Sequence, residues 1–173
     1  LSVETTSTFT GSGTITVNAG GILGHFRNTG GLFNRPVTLN GGSITNLSGS
    51  NAFVGTNSSD INLTADSALG GSTAATYPLV FAGVISGSGK LTKSGAGPVT
   101  LANVNTYNGD TVVATGALAL SGPGSIANSP VITLAAGSSL DVAGRVDGTF
   151  TLGSSQTLKG NGTVLGAIVA NGT

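Results

Sequence analysis

Short alternating apolar pairs run through the chain: Ile15 and Val17, Val37 and Leu39, Ile61 and Leu63, Val99 and Leu101, Ile132 and Leu134, Phe150 and Leu152. A period of two places both members of a pair on one face of a β-strand. Each run is short and stops at Asn-Gly, Ala-Gly or Gly-Ser. The pairs Asn40-Gly41, Asn108-Gly109, Asn161-Gly162 and Asn171-Gly172 predict tight turns, because both residue types tolerate positive φ. No segment keeps apolar residues at i, i+3, i+4 and i+7 over three turns, and glycine interrupts every candidate window. The pattern predicts an all-β chain.

The runs also recur. A β-pair, a turn and a second β-pair appear in ITVNAGGIL (15–23), VTLNGGSI (37–44), INLTADSAL (61–69), VVATGALAL (112–120) and ITLAAGSSLDV (132–142). One apolar residue marks each recurrence: Val17, Leu39, Leu63, Val113, Leu134, Leu152 and Val169. Neighbouring markers lie close to one period apart, with one gap between Leu63 and Val113. A period of about 20 residues falls in the range of solenoid repeats, in which each unit buries too little to fold alone and neighbours stack. The fold expected is a right-handed parallel β-helix of about eight coils spanning 1–173 as one domain. The marker residues should point into a common interior. An antiparallel β-sandwich is the alternative, since glycine-rich hairpins produce similar local patterns.

Composition narrows the function classes. Charged residues make up 7% of the chain, with six acids balancing six bases. No basic stripe is available to neutralise phosphates, which argues against nucleic acid. No apolar run approaches the roughly 18 residues of a membrane span. A hydrophobic fraction of 38% at zero net charge separates the chain from disordered sequences. Leu1 opens in a strand-like run, so the sequence reads as an excerpt or repeating unit of a longer chain.

Gly87-Ser88-Gly89-Lys90-Leu91-Thr92-Lys93-Ser94-Gly95-Ala96-Gly97, then Val99-Thr100-Leu101, Asn105-Thr106-Tyr107-Asn108-Gly109 and Thr111-Val112-Val113, resemble the autotransporter-associated β-strand repeat, also called the passenger-associated transport repeat. The resemblance covers 89–120. Lys93, Asn105, Thr106, Tyr107 and Gly109 carry its most specific elements. Pro98 and Ala102 depart from the pattern, and proline at that point removes a ladder donor. The resemblance implies an extracellular or cell-surface bacterial β-helix: a fibrous stalk or passenger region with no enzymatic site of its own.

A catalytic β-helix needs carboxylates converging on one face. The acids Glu4, Asp60, Asp66, Asp110, Asp141 and Asp147 include no pair spaced to stack on adjacent coils. Asp141 and Asp147 flank Arg145 in what reads as a solvated turn. No catalytic, metal or cofactor residues are assigned, and the chain is read as a non-enzyme. Glu4 and His25 stand one period apart and predict a surface ion pair on neighbouring coils. His25, Phe26, Arg27, Phe33 and Arg35 crowd one short segment, which reads as a loop bulging from the solenoid with Phe26 or Phe33 tucked over the coil; the alternative is a surface patch for a ligand or partner, such as a glycan or host surface. Lys90 and Lys93 read as strand-edge lysines that discourage unwanted pairing. Asn46, Asn57, Asn62, Asn161 and Asn171 match glycosylation acceptors, a match that an Asn-, Ser- and Thr-rich chain produces by chance.

The function expected is that of a structural or adhesive fibre module. A polysaccharide-binding or polysaccharide-degrading β-helix is the alternative, disfavoured by two distant tyrosines, Tyr77 and Tyr107, and no tryptophan. Joining Thr173 to a following Leu1 puts Val17 one ordinary period after Val169. The expected partner is therefore a further copy, stacked head to tail, or neighbouring coils of the same chain.

Overall fold

Every predicted alternating pair lies in a short strand, and no helix occurs among the described residues. The computed structural model describes residues 1–3, 11–26, 35–47, 55–71 and 78–171. The strands pair in parallel throughout and wind into a β-solenoid. Three main sheets form its walls. The first has eight strands, from Ser2–Val3 through Ile22–His25, Ser43–Asn46, Ser67–Gly70, Leu91–Ser94, Thr111–Val113 and Val131–Leu134 to Thr157–Gly160. The second stacks Ile15–Asn18, Val37–Asn40, Ile61–Ala65 and Ile85–Gly87. The third runs from Gly55–Asn57 through Leu79–Phe81, Val99–Leu101, Ala117–Leu120 and Ser139–Asp141 to Thr163–Leu165. A separate pair, Thr149–Leu152 with Ala167–Ala170, closes the C-terminal turns.

About six turns result, fewer than the eight expected. Eight strands do share the first wall, but the first is a two-residue piece and the third wall has six. Turn length also varies: Leu91 stacks on Thr111, whereas Val131 stacks on the more distant Thr157.

Inward side chains stack in columns. Leu23, Ile44, Leu69, Lys93, Val113 and Leu134 follow one another in register in the first sheet. Leu79, Val99, Leu118 and Leu140 do so in the third. All but Lys93 are apolar, and all ten are buried. Each turn buries only a handful of such side chains, too few to offset the ordering of its backbone. Neighbouring turns supply the missing contacts and satisfy the strand N–H and C=O groups.

The markers occupy different walls. Val17, Leu39 and Leu63 stack in the second sheet, whereas Val113 and Leu134 stack in the first. A pair–turn–pair sequence looks alike whichever two walls it spans. Val169 pairs with Thr151 and faces outward; the inward residues of that strand, Ile168 and Ala170, pair with Phe150 and Leu152. Among the described Asn-Gly turns only Gly41 has positive φ, at 83°. Gly109 and Gly162 serve close approach instead: an added Cβ would meet Lys90 N at 2.7 Å and Leu134 Cβ at 2.6 Å, respectively.

Candidate functional site

The Leu91–Leu120 segment shows how the motif residues are used. After Ile85–Gly87 the second sheet has no further strand, and Asn105-Thr106-Tyr107 closes the turn in its place. Thr106 and Tyr107 donate their backbone N–H groups to Ile85 O at 2.8 and 3.2 Å, and Asn108 N–H donates to Gly87 O at 3.0 Å. The Asn105 side chain completes the corner. Its Oδ1 accepts the Ile85 N–H at 2.9 Å, and its Nδ2 donates to Asn103 O and Ser125 O at 2.9 and 3.0 Å. One amide thereby ties three successive turns.

Tyr107 is sealed from solvent, at 1% exposure. Its hydroxyl lies 2.7 Å from Thr111 Oγ1, which donates to Ser129 Oγ at 2.8 Å. A phenol sealed in this way has its pKa pushed up by burial. Thr106 stays exposed. Pro98 falls outside the strand Val99–Leu101, and its carbonyl still accepts the Leu79 N–H at 3.0 Å.

Lys93 is not a strand-edge lysine. Leu91–Ser94 pairs on both sides, with Ser67–Gly70 and Thr111–Val113, and Lys93 points inward at 1% exposure. Its Nζ donates to Ser94 O, Gly95 O and Thr115 O at 3.1, 2.7 and 2.8 Å. Burial lowers its pKa to about 8. The three carbonyl acceptors favour the charged form, so the amine is an ammonium at pH 7. Lys90, on the outer surface, pairs instead with Asp66 Oδ2 at 3.0 Å, while its backbone N–H donates to Asp66 Oδ1. These bonds hold the Asp66 carboxyl below its ordinary value.

Residues 91–120, the segment with this geometry, match the family model of the passenger-associated-transport-repeat. The match covers the turn in which Lys93, Asn105 and Tyr107 are each buried against backbone or hydroxyl partners. No curated protein and no solved structure matches the chain.

The alternative surface patch around His25 does not include it. His25 is buried, and Asn57 Nδ2 lies 3.2 Å from its Nε2. Burial lowers its pKa to about 4, so the ring is neutral. His25 lies two positions after Leu23 in the same strand, so the two share the face turned into the core. Phe26 and Arg35 are half-buried, and Arg35 Nη2 donates to Gly13 O. Arg27, Phe33, Glu4 and Tyr77 lie outside the described residues. Asn46 and Asn57 are buried, which closes both to glycan transfer in the folded chain.

Elsewhere Arg145 grips Asp147 through two bonds of 3.0 Å and donates to Gly124 O. The Arg145 bonds hold the Asp147 carboxyl at about 2. Among the described residues no three His, Cys, Asp or Glu side chains gather as metal ligands. No helix there is long and apolar enough to cross a membrane. An open groove of about 520 Å³ follows the corner of the first and second walls. It is lined by Gly21, Ile22, Gly42, Ser43, Asp66 and Lys90 among others, with no aromatic ring.

Proposed function

We propose that this chain is a non-catalytic structural module of a secreted or surface-displayed bacterial β-solenoid, extended by stacking turn on turn. One observation carries the reading: turn stacks on turn in parallel register, and one of these turns, residues 91–120, matches the passenger-associated-transport-repeat. The outer edges of Thr157–Gly160, Thr163–Leu165 and Ala167–Ala170 have no partner strand among the described residues. Leu165, Ile168 and Val169 are 47, 43 and 47% exposed there. Leu158 and Val164 pack against the core from one side only. An apolar end-face rimmed by unpaired strand groups fits one further parallel turn, of the same chain or of a second copy. At the opposite end Ile15–Asn18 is the edge of the second sheet. The groove, with one ion pair and no ring to stack on a sugar, gives the polysaccharide reading little support.

Sedimentation and negative-stain imaging over a concentration series test this. The expected outcome is end-to-end rods rising about 4.8 Å per turn, suppressed by Ile168→Asp. Monomers at every concentration would refute the stacking, and release of reducing ends from a polysaccharide would refute the non-catalytic reading.

A further inference from the structure

Lys93 stands at a position that its column fills with Leu69 on one side and Val113 on the other. An apolar side chain would satisfy that column, so the reason for an amine lies at its tip. Beyond the strand the chain bends at Gly95, and in the next turn it bends at Gly116. The carbonyls of Ser94, Gly95 and Thr115 converge there from two turns. A primary ammonium has three N–H donors, and each has one acceptor. Thr115 Oγ1 also donates to Gly95 O at 3.2 Å, which fixes the second turn against the first. Gly116, at φ 66°, is held to glycine twice over: by its backbone, and because a Cβ would sit 2.9 Å from Lys93 Nζ. Among the described residues no carboxylate is hydrogen-bonded to the amine, and its three acceptors are backbone carbonyls.

We propose that this corner is a binding site for a primary ammonium cation, built from backbone carbonyls of two successive turns, which the chain occupies with its own Lys93. The lysine acts as a tethered ligand that locks one turn onto the next. Without it Thr115 O loses the ammonium, Ser94 O keeps only the Gly71 N–H and Gly95 O only the Thr115 hydroxyl, and the two turns lose the group they share.

Beyond Cβ the lysine side chain is n-propylammonium, so Lys93→Ala removes a complete, nameable ligand. The variant is refolded with n-propylammonium chloride or with 1-propanol, a neutral molecule of the same shape, at matched ionic strength. The expected result is a saturable rise in the thermal midpoint of Lys93→Ala with n-propylammonium. Neither 1-propanol nor wild-type protein with n-propylammonium should show that rise. Equal responses to the cation and the alcohol would overturn the proposal. So would a Lys93→Met variant as stable as wild type, because its stem fills the column without serving the carbonyls. Wild-type protein provides a reading that needs no variant to fold. The Lys93 ammonium protons should be seen by nitrogen-15 NMR at neutral pH, protected from water exchange. Exchange as fast as that of the exposed Lys90 amine would end the idea.

Discussion

Acidification should weaken this protein within a defined window, because His25 is sealed between turns as a neutral ring. Asn57 Oδ1 already accepts the Ser59 N–H at 2.9 Å, which orients the amide so that Nδ2 faces the ring at 3.2 Å. The Nε2 atom is therefore an acceptor, and a proton placed on it would set two donors against each other in a desolvated site. Burial lowers the pKa from 6.5 to about 4. Above about pH 6.5 the ring is neutral in both folded and unfolded chains and stability is flat. As pH falls below that value the unfolded chain takes up the proton first, so stability drops until the folded ring titrates near 4. At about 1.36 kcal/mol per pKa unit, the loss across the window is about 3 kcal/mol. That is a large share of the roughly 5–15 kcal/mol that holds a domain together. Asp66 and Asp147 are held below their ordinary carboxylate values, so their titration falls below this window. Urea unfolding followed by circular dichroism at intervals from about pH 7.5 to about pH 4.5 reads the slope. His25→Gln keeps an acceptor for Asn57 but has no proton to gain, and should flatten the curve. A wild-type slope retained in His25→Gln would refute the reasoning.

Two further substitutions probe the corners. Asn105→Ala strands the Ile85 N–H and removes donors from two carbonyls; a loss of about 3 kcal/mol, roughly 6–12 °C in thermal midpoint, is expected. An unchanged midpoint would remove Asn105 from the corner. Gly71→Ala drives a Cβ into the Gly97 carbonyl of the next turn, whereas Gly137→Ala meets nothing within 4 Å and bears only the strain of its φ of 76°. Calorimetry should show the first costing well over the ~1–2 kcal/mol of the second, and equal losses would contradict the tight stacking at Gly71.

Some of these features were legible in the sequence. Alternation in Val37-Thr38-Leu39 or Val99-Thr100-Leu101 shows that one strand face is buried, because the period of a strand is a local property of the backbone. Recurrence at a near-constant period signals stacking, because units this small need neighbours. The Leu-Thr-Lys and Asn-Thr-Tyr elements mark the repeat by identity alone. Local pattern does not say which wall a pair occupies, so Val17 and Val113 look equivalent in sequence and stack in different sheets. It is equally silent on the burial of polar residues. Asn105 bonds to Ile85 and Ser125 in the turns before and after it; Lys93 reaches Thr115 in the next turn; His25 meets Asn57, further along the chain still. Read singly, a lysine, a histidine or a tyrosine in a glycine-rich chain is assigned to solvent, where water satisfies its polar atoms. Only the register between turns brings carbonyls, amides and hydroxyls to the tips of these side chains, and without those partners their burial would be strongly unfavourable.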